Sequence, residues 1–201
     1  MDKRIEIYKL FANQICNELR NKISYDVKYS YDGNKVEIWL HGYPLYPSKR
    51  LGDVIISLPI NYISVQGGSI RYNSINQASV GFYQENTMKA FAHPHVWNSG
   101  QPCWDHVPKS NINDLFVYIV NSLLLTNVTK DSLERGHPCP DSIMVSNGGY
   151  RRPLQEIYNI SVEHSKFIQT KLGLNIRELE LSKLFLRFNS KFNHCLSMII
   201  K

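Results

Sequence analysis

The chain has 201 residues, 43% hydrophobic and 20% charged, with a formal net charge of +6. That size suits one large domain, or one domain with a helical appendage, which buries about 71% of its unfolded surface and folds without a disulfide or metal staple. The proportions exclude disorder, collagen and coiled coil as whole-chain readings, and no apolar run approaches the roughly 20 residues of a membrane span.

The first expected element is a helix over residues 3–22. Ile5, Tyr8, Ala12, Ile15, Cys16 and Leu19 recur at helical spacing, and Asp2 is placed to cap its start. Charges within MDKRIEIYKLFANQ stand where a secretory leader keeps an apolar run, so the expected location is cytoplasmic. Two alternating segments follow, Val27/Tyr29/Tyr31 and Val36/Ile38/Leu40, separated by Asp32-Gly33. Glycine tolerates positive φ, which makes that pair a tight-hairpin signal. A Pro-bearing loop over 42–48 leads to a third strand over 54–58. Residues 66–69 read as a turn, and residues 79–83 as a fourth strand. The polar stretch between Tyr62 and His93 reads as a surface insertion, removable around Asn73 to Gln77 without loss of folding.

Ile112, Leu115, Phe116, Ile119, Leu123 and Leu124 mark the clearest helix, with Ser110 or Asn111 as its cap. Gly136-His-Pro-Cys-Pro140 breaks the pattern and divides a domain over 1–135 from a basic helical extension over 136–201. The first part carries 14 Lys and Arg against 12 Asp and Glu, the second nine against five. A surplus this mild reads as solvated surface, and no nucleic-acid partner is expected. The extension holds a helix over 153–172 and another opening at Asn175/Glu178 and running to about Ile200. In the latter, Phe185, Phe188, Phe192, Leu196 and Ile199 form an apolar stripe that reads as core packing.

The chemistry-bearing stretch is His93-Pro-His-Val-Trp-Asn-Ser-Gly-Gln-Pro-Cys-Trp-Asp-His106. It places Cys103 in a Gly- and Pro-bearing loop, outside any apolar stripe and with three histidines near in sequence. Cationic neighbours and oriented backbone donors favour thiolate in such a setting. The other cysteines, Cys16, Cys139 and Cys195, sit far apart in unlike surroundings, as reduced structural thiols do.

The stretch resembles the active-site signature of the ubiquitin-conjugating enzymes and the wider UBC-like superfamily. That signature is His-Pro-Asn, then a Gly three residues before the catalytic Cys and an Asp two after it. Here His93-Pro94 opens it, Gly100 precedes Cys103 by three and Asp105 follows by two, with His95 in the place of Asn. Pro59-Ile-Asn-Tyr62 is similar to the family's Pro-x-Asp-Tyr element, and the resemblance covers residues 3–135. It implies an α+β fold with an N-terminal helix, a four-stranded antiparallel meander, the active-site loop and a helix, here followed by C-terminal helices. Cys103 would be the nucleophile that takes a ubiquitin-like modifier from an activating enzyme as a thioester. It would then pass the modifier to an acceptor protein, with no cofactor. His95 would donate to the oxyanion, Asp105 would orient the acceptor amine and His93 would order the loop.

Two other readings use the same residues. One is a non-catalytic UBC-like interaction module. The other is a zinc-binding protein, because His93, His95, Cys103 and His106 are four N/S ligands, the set of a closed structural site.

Overall fold

The computed structural model describes residues 2–46, 50–85, 87–88, 93, 95–96, 99–102, 111–126, 154–174 and 181–201. Helix α1 (Lys3–Glu18) starts at Asp2, whose carboxylate accepts the Arg4 amide at 2.9 Å. Its apolar stripe of Ile5, Tyr8, Phe11, Ala12, Ile15 and Cys16 is buried. The strands are β1 (Ser24–Tyr29), β2 (Lys35–Pro44), β3 (Leu51–Pro59), β4 (Ile63–Gln66), β5 (Ser69–Tyr72), β6 (Ser79–Gln84) and β7 (Thr87–Met88). In space β1, β2, β3 and β6 form a four-stranded antiparallel meander, and β7 adds two residues along the β6 edge. Thus the architecture is mixed α+β, with an N-terminal helix, an antiparallel sheet and further helices.

The β1–β2 turn is built as Asp32-Gly33 suggests. Gly33 sits at φ +69°, and the Asp32 carboxylate accepts the Ser30 hydroxyl at 2.6 Å and the Asn34 amide at 3.1 Å. Alternation then sorts the sheet into two faces. Val36, Ile38 and Leu40, Val54, Ile56 and Leu58, and Val80 and Phe82 point into the core.

Three elements depart from the sequence reading. The expected loop from Gly42 is instead the end of β2, which continues to Pro44 through a bulge between His41 and Tyr43. Gly42 at φ +77° makes this possible, since one class of bulge places a glycine in the left-handed region. The turn at 66–69 joins a two-stranded sheet of its own, β4 with β5. The supposed surface insertion is also pinned, because Ile75 and Ala78 are only 1% and 3% exposed. Removing residues 73–77 therefore takes a core side chain with it. One apolar residue among polar ones carries no period, so the pattern hid it.

Helix α2 (Ile112–Tyr118) is capped by Asn111, whose side-chain oxygen accepts the Asp114 amide at 2.8 Å. It widens into a π turn, Ile119–Leu124. The end of a helix leaves carbonyls without partners inside it. Two are taken by side chains from elsewhere: the Tyr43 hydroxyl donates to the Leu124 carbonyl at 2.9 Å, and the His93 imidazole meets that of Leu123. The bulge in β2 thus serves the helix by aiming Tyr43 inward.

Helices α3 (Leu154–Leu172) and α4 (Leu181–Ile200) complete the described chain. Ile168 and Leu172 of α3 are buried, as are Phe188 and Phe192 of α4. Phe188 stacks on Phe116 at 3.8 Å and on Phe192 at 4.6 Å, and meets Phe11 edge-on at 6.1 Å. These helices and the sheet share one apolar cluster. The boundary expected at 136–140 lies outside the described residues. Among the described residues, no helix is long and apolar enough to cross a membrane.

Candidate functional site

Two backbone features fix the loop that leads to Cys103. Val96 bridges antiparallel to Pro102, and the Val80 amide of β6 donates to the Gly100 carbonyl at 2.7 Å. Gly100 sits at φ +80°, and a Cβ there would stand 3.0 Å from the Val80 carbonyl oxygen. Both the left-handed backbone and the close approach to β6 call for glycine. The Gly of the motif is therefore where the loop docks on the sheet edge.

His93 anchors the other end. It is fully buried, and its Nε2 lies 2.7 Å from the Leu123 carbonyl while its Nδ1 accepts the His95 amide at 2.9 Å. A carbonyl can only accept and an amide can only donate, so the proton sits on Nε2 and the ring is neutral. Phe82 of β6 stacks on it at 5.3 Å, and His164 of α3 meets it edge-on at 6.3 Å. A single imidazole thus ties the loop to the sheet, to the end of α2 and to α3.

His95 is 9% exposed, with its ring 6.0 Å from that of His93 and 6.4 Å from the edge-on ring of Tyr118. Its carbonyl lies 3.5 Å from the Tyr118 hydroxyl, a long contact for this pair. His93 and His95 are therefore together, while Cys103, Asp105 and His106 lie outside the described residues. The same holds for Cys139. Among the described residues no three His, Cys, Asp or Glu side chains are grouped to hold a metal ion. A metal on His93 would also have to break one of its two ring hydrogen bonds, because neutral imidazole binds metal through the lone pair that here accepts an amide.

His164 is the residue that sequence reasoning passed over. It is 1% exposed and packs against Tyr46 at 4.6 Å as well as His93. Its spacing of four from Ile168 and of eight from Leu172 was the available signal, a helical stripe with a histidine at its end.

Burial holds both His93 and His164 neutral. Burial is the main cause that depresses His93 far below the ordinary histidine value, with His95 and His164 adding to it, and burial brings His164 down to about 3. In the unfolded chain both titrate near 6.5. Their contribution to stability is therefore full above that value and falls as pH drops through 6.5 toward 3. Protons taken up by these rings only on unfolding make stability fall as pH drops from 6 to 5. Urea midpoints measured across that range should show it, and His164→Phe should make the fall shallower. A slope unchanged by that substitution would contradict the neutral, buried assignment.

Cys16 provides the contrast for any reactive thiol. Buried on α1, it is pushed up to about 11 by desolvation. At pH 7.5 its thiolate population is roughly 10²-fold below that of an ordinary cysteine.

No family model, curated protein or solved structure matches the chain.

Proposed function

We propose that this chain is a UBC-like conjugating protein that carries a ubiquitin-like modifier on Cys103. The observation that carries this reading is the motif His93-Pro-His…Gly-x-x-Cys-x-Asp, two of whose fixed positions hold the loop in place. His93 bridges the loop to the end of α2, and Gly100 docks the loop on β6. A thiol that must receive and release an acyl group benefits from such a preset loop, because orientation paid for in the fold lowers the barrier at each transfer.

The chemistry balances as thioester exchange followed by aminolysis. The Cys103 thiolate attacks the carbonyl carbon of the modifier's thioester on the activating enzyme; a C–S bond forms and the enzyme's thiolate leaves. An acceptor amine then attacks the new thioester, giving a tetrahedral oxyanion that His95 stabilises by donating a hydrogen bond. The intermediate collapses to an amide and expels the Cys103 thiolate, and the amine's proton passes to solvent. Asp105 orients the amine.

With the activating enzyme, ATP and modifier supplied, the wild-type chain should form an adduct that dithiothreitol cleaves. Cys103→Ser should replace it with an oxyester that resists dithiothreitol and yields to hydroxide. Iodoacetamide at pH 7.5 should modify Cys103 well ahead of Cys16. An adduct with the same lability in both proteins sinks the reading, and stoichiometric zinc in the purified chain would favour the metal alternative.

A further inference from the structure

The outer face of the sheet is not a plain solvated surface. Its side chains alternate with the core-facing set, and between β2, β3 and β6 they line a groove of about 450 Å³. The loop closes one side of the groove through Ser99 and Gly100. Gly81 forms part of the floor, where a Cβ would meet the Tyr83 ring at 2.5 Å, so any side chain there displaces the ring. The volume lies in the range of sites that hold a drug-sized ligand or a few residues of peptide.

Its chemistry is selective. Glu37 and Asp53 are the ionised side chains among the described lining residues, so the lining is acidic in a chain whose net charge is +6, with His41 against Asp53 and Lys28 opposite Glu37 at its border. Trp39 and Tyr83 supply aromatic walls. The indole is held in place, since its Nε1–H donates to the Glu37 carboxylate at 2.9 Å. It already seats one ammonium group: Lys28 Nζ stands 3.3 Å from the ring centroid. Carboxylates beside an aromatic face recognise a cation, by charge and by the ring's quadrupole together. Asp53 already meets the His41 imidazole at 3.0 Å and Glu37 the Trp39 indole, and an anionic occupant would set its charge against both carboxylates.

We infer that this groove binds a basic, extended peptide, the lysine- or arginine-bearing segment of the acceptor protein. The peptide chemistry stands on the groove alone, whereas its identity as the acceptor rests on the conjugating function proposed above. Gly100 is three residues before Cys103 in sequence, a stretch that spans at most about 11 Å fully extended. An acceptor held here presents a neighbouring lysine close to the thiol loop, which converts a bimolecular attack into a local one.

The test uses the full chain and a fluorescein-labelled nine-residue peptide of alternating lysine and serine, at low salt. Two control peptides carry glutamate or Nε-acetyl-lysine in place of lysine. Anisotropy should show binding of the lysine peptide alone, weakening as salt rises. Gly81→Val, which fills the floor and changes no charge, should weaken it at least 10-fold. Glu37→Gln combined with Asp53→Asn, which keeps the shapes and removes the charges, should do the same. Thermal midpoints identify any variant that has lost its fold, and the other variant then decides. Equal binding of the lysine and glutamate peptides, or undiminished binding in folded variants, overturns the inference. Binding does not involve the thiol and should persist in Cys103→Ala. Peptide binding without any thioester would thus retire the acceptor assignment and keep the groove, while a thioester without peptide binding would retire the groove alone.

Discussion

Replacing His95 by alanine should slow transfer from the Cys103 thioester to an amine by roughly 10²–10³, the range for losing one oxyanion donor. Formation of the thioester should change little. The structure makes this separation testable, because the bond from residue 95 to His93 uses the backbone amide and survives the substitution. Only the ring is removed, along with its packing beside Tyr118. His95→Asn restores an amide donor and should recover part of the rate. The measurement is single-turnover discharge of preformed thioester onto free lysine, with thermal midpoints recorded alongside. An unchanged discharge rate would remove His95 from the chemistry, and loss of bound zinc in its place would hand the site to the metal reading.

Phe188→Ala should destabilise the chain by about 3–5 kcal/mol, the range for truncating a buried aromatic. The ring is 1% exposed and lies between Phe116 and Phe192 with Phe11 at its edge. Aromatic pairs add about 0.5–1.5 kcal/mol beyond the area they bury. Against a total stability of roughly 5–15 kcal/mol, such a loss can unfold the protein at 37 °C. Phe188→Leu keeps most of the volume and should cost distinctly less, while exposed Lys191→Ala should fall within about 0.5 kcal/mol of wild type. Urea unfolding of the three variants checks the order. A loss under about 1 kcal/mol for the alanine variant would mean that α4 is not part of the core.

Local signals carried much of the fold. The stripe of α1, the Asp32-Gly33 turn, the alternation in β2, the apolar run of β3 and the start of α2 each follow from residues adjacent in sequence, although α1 ends at Glu18 and not at 22, where Arg20 and Asn21 turn left-handed. What escaped depended on distant partners. Tyr43 is buried because Leu124, 81 residues away, offers a carbonyl, and that requires a bulge no alternation pattern announces. The π turn at 119–124 keeps the same apolar stripe that an α-helix would, so periodicity could not separate them. β4 and β5 are four residues each and half polar, too short for alternation to rise above their surroundings. In the loop, spacing singled out His93, His95 and Gly100, but their contacts run to Leu123, Tyr118 and Val80, which no motif names. Cys103, Asp105 and His106 remain expectations drawn from spacing and resemblance.

The aromatic stack also sets a schedule. Phe11 and Phe188 are 177 residues apart in the chain yet touch in the folded protein. At roughly 5–20 residues per second, a ribosome needs about 10–35 s to follow one with the other. For that interval the apolar stripe of α1 is made but lacks part of its cover, and the late arrival of α4 completes it. A nascent chain in this state exposes an amphipathic helix long before its partner exists, which is what holdase chaperones recognise. Slowing synthesis between the codons for α1 and those for α4 should therefore lower the yield of folded protein.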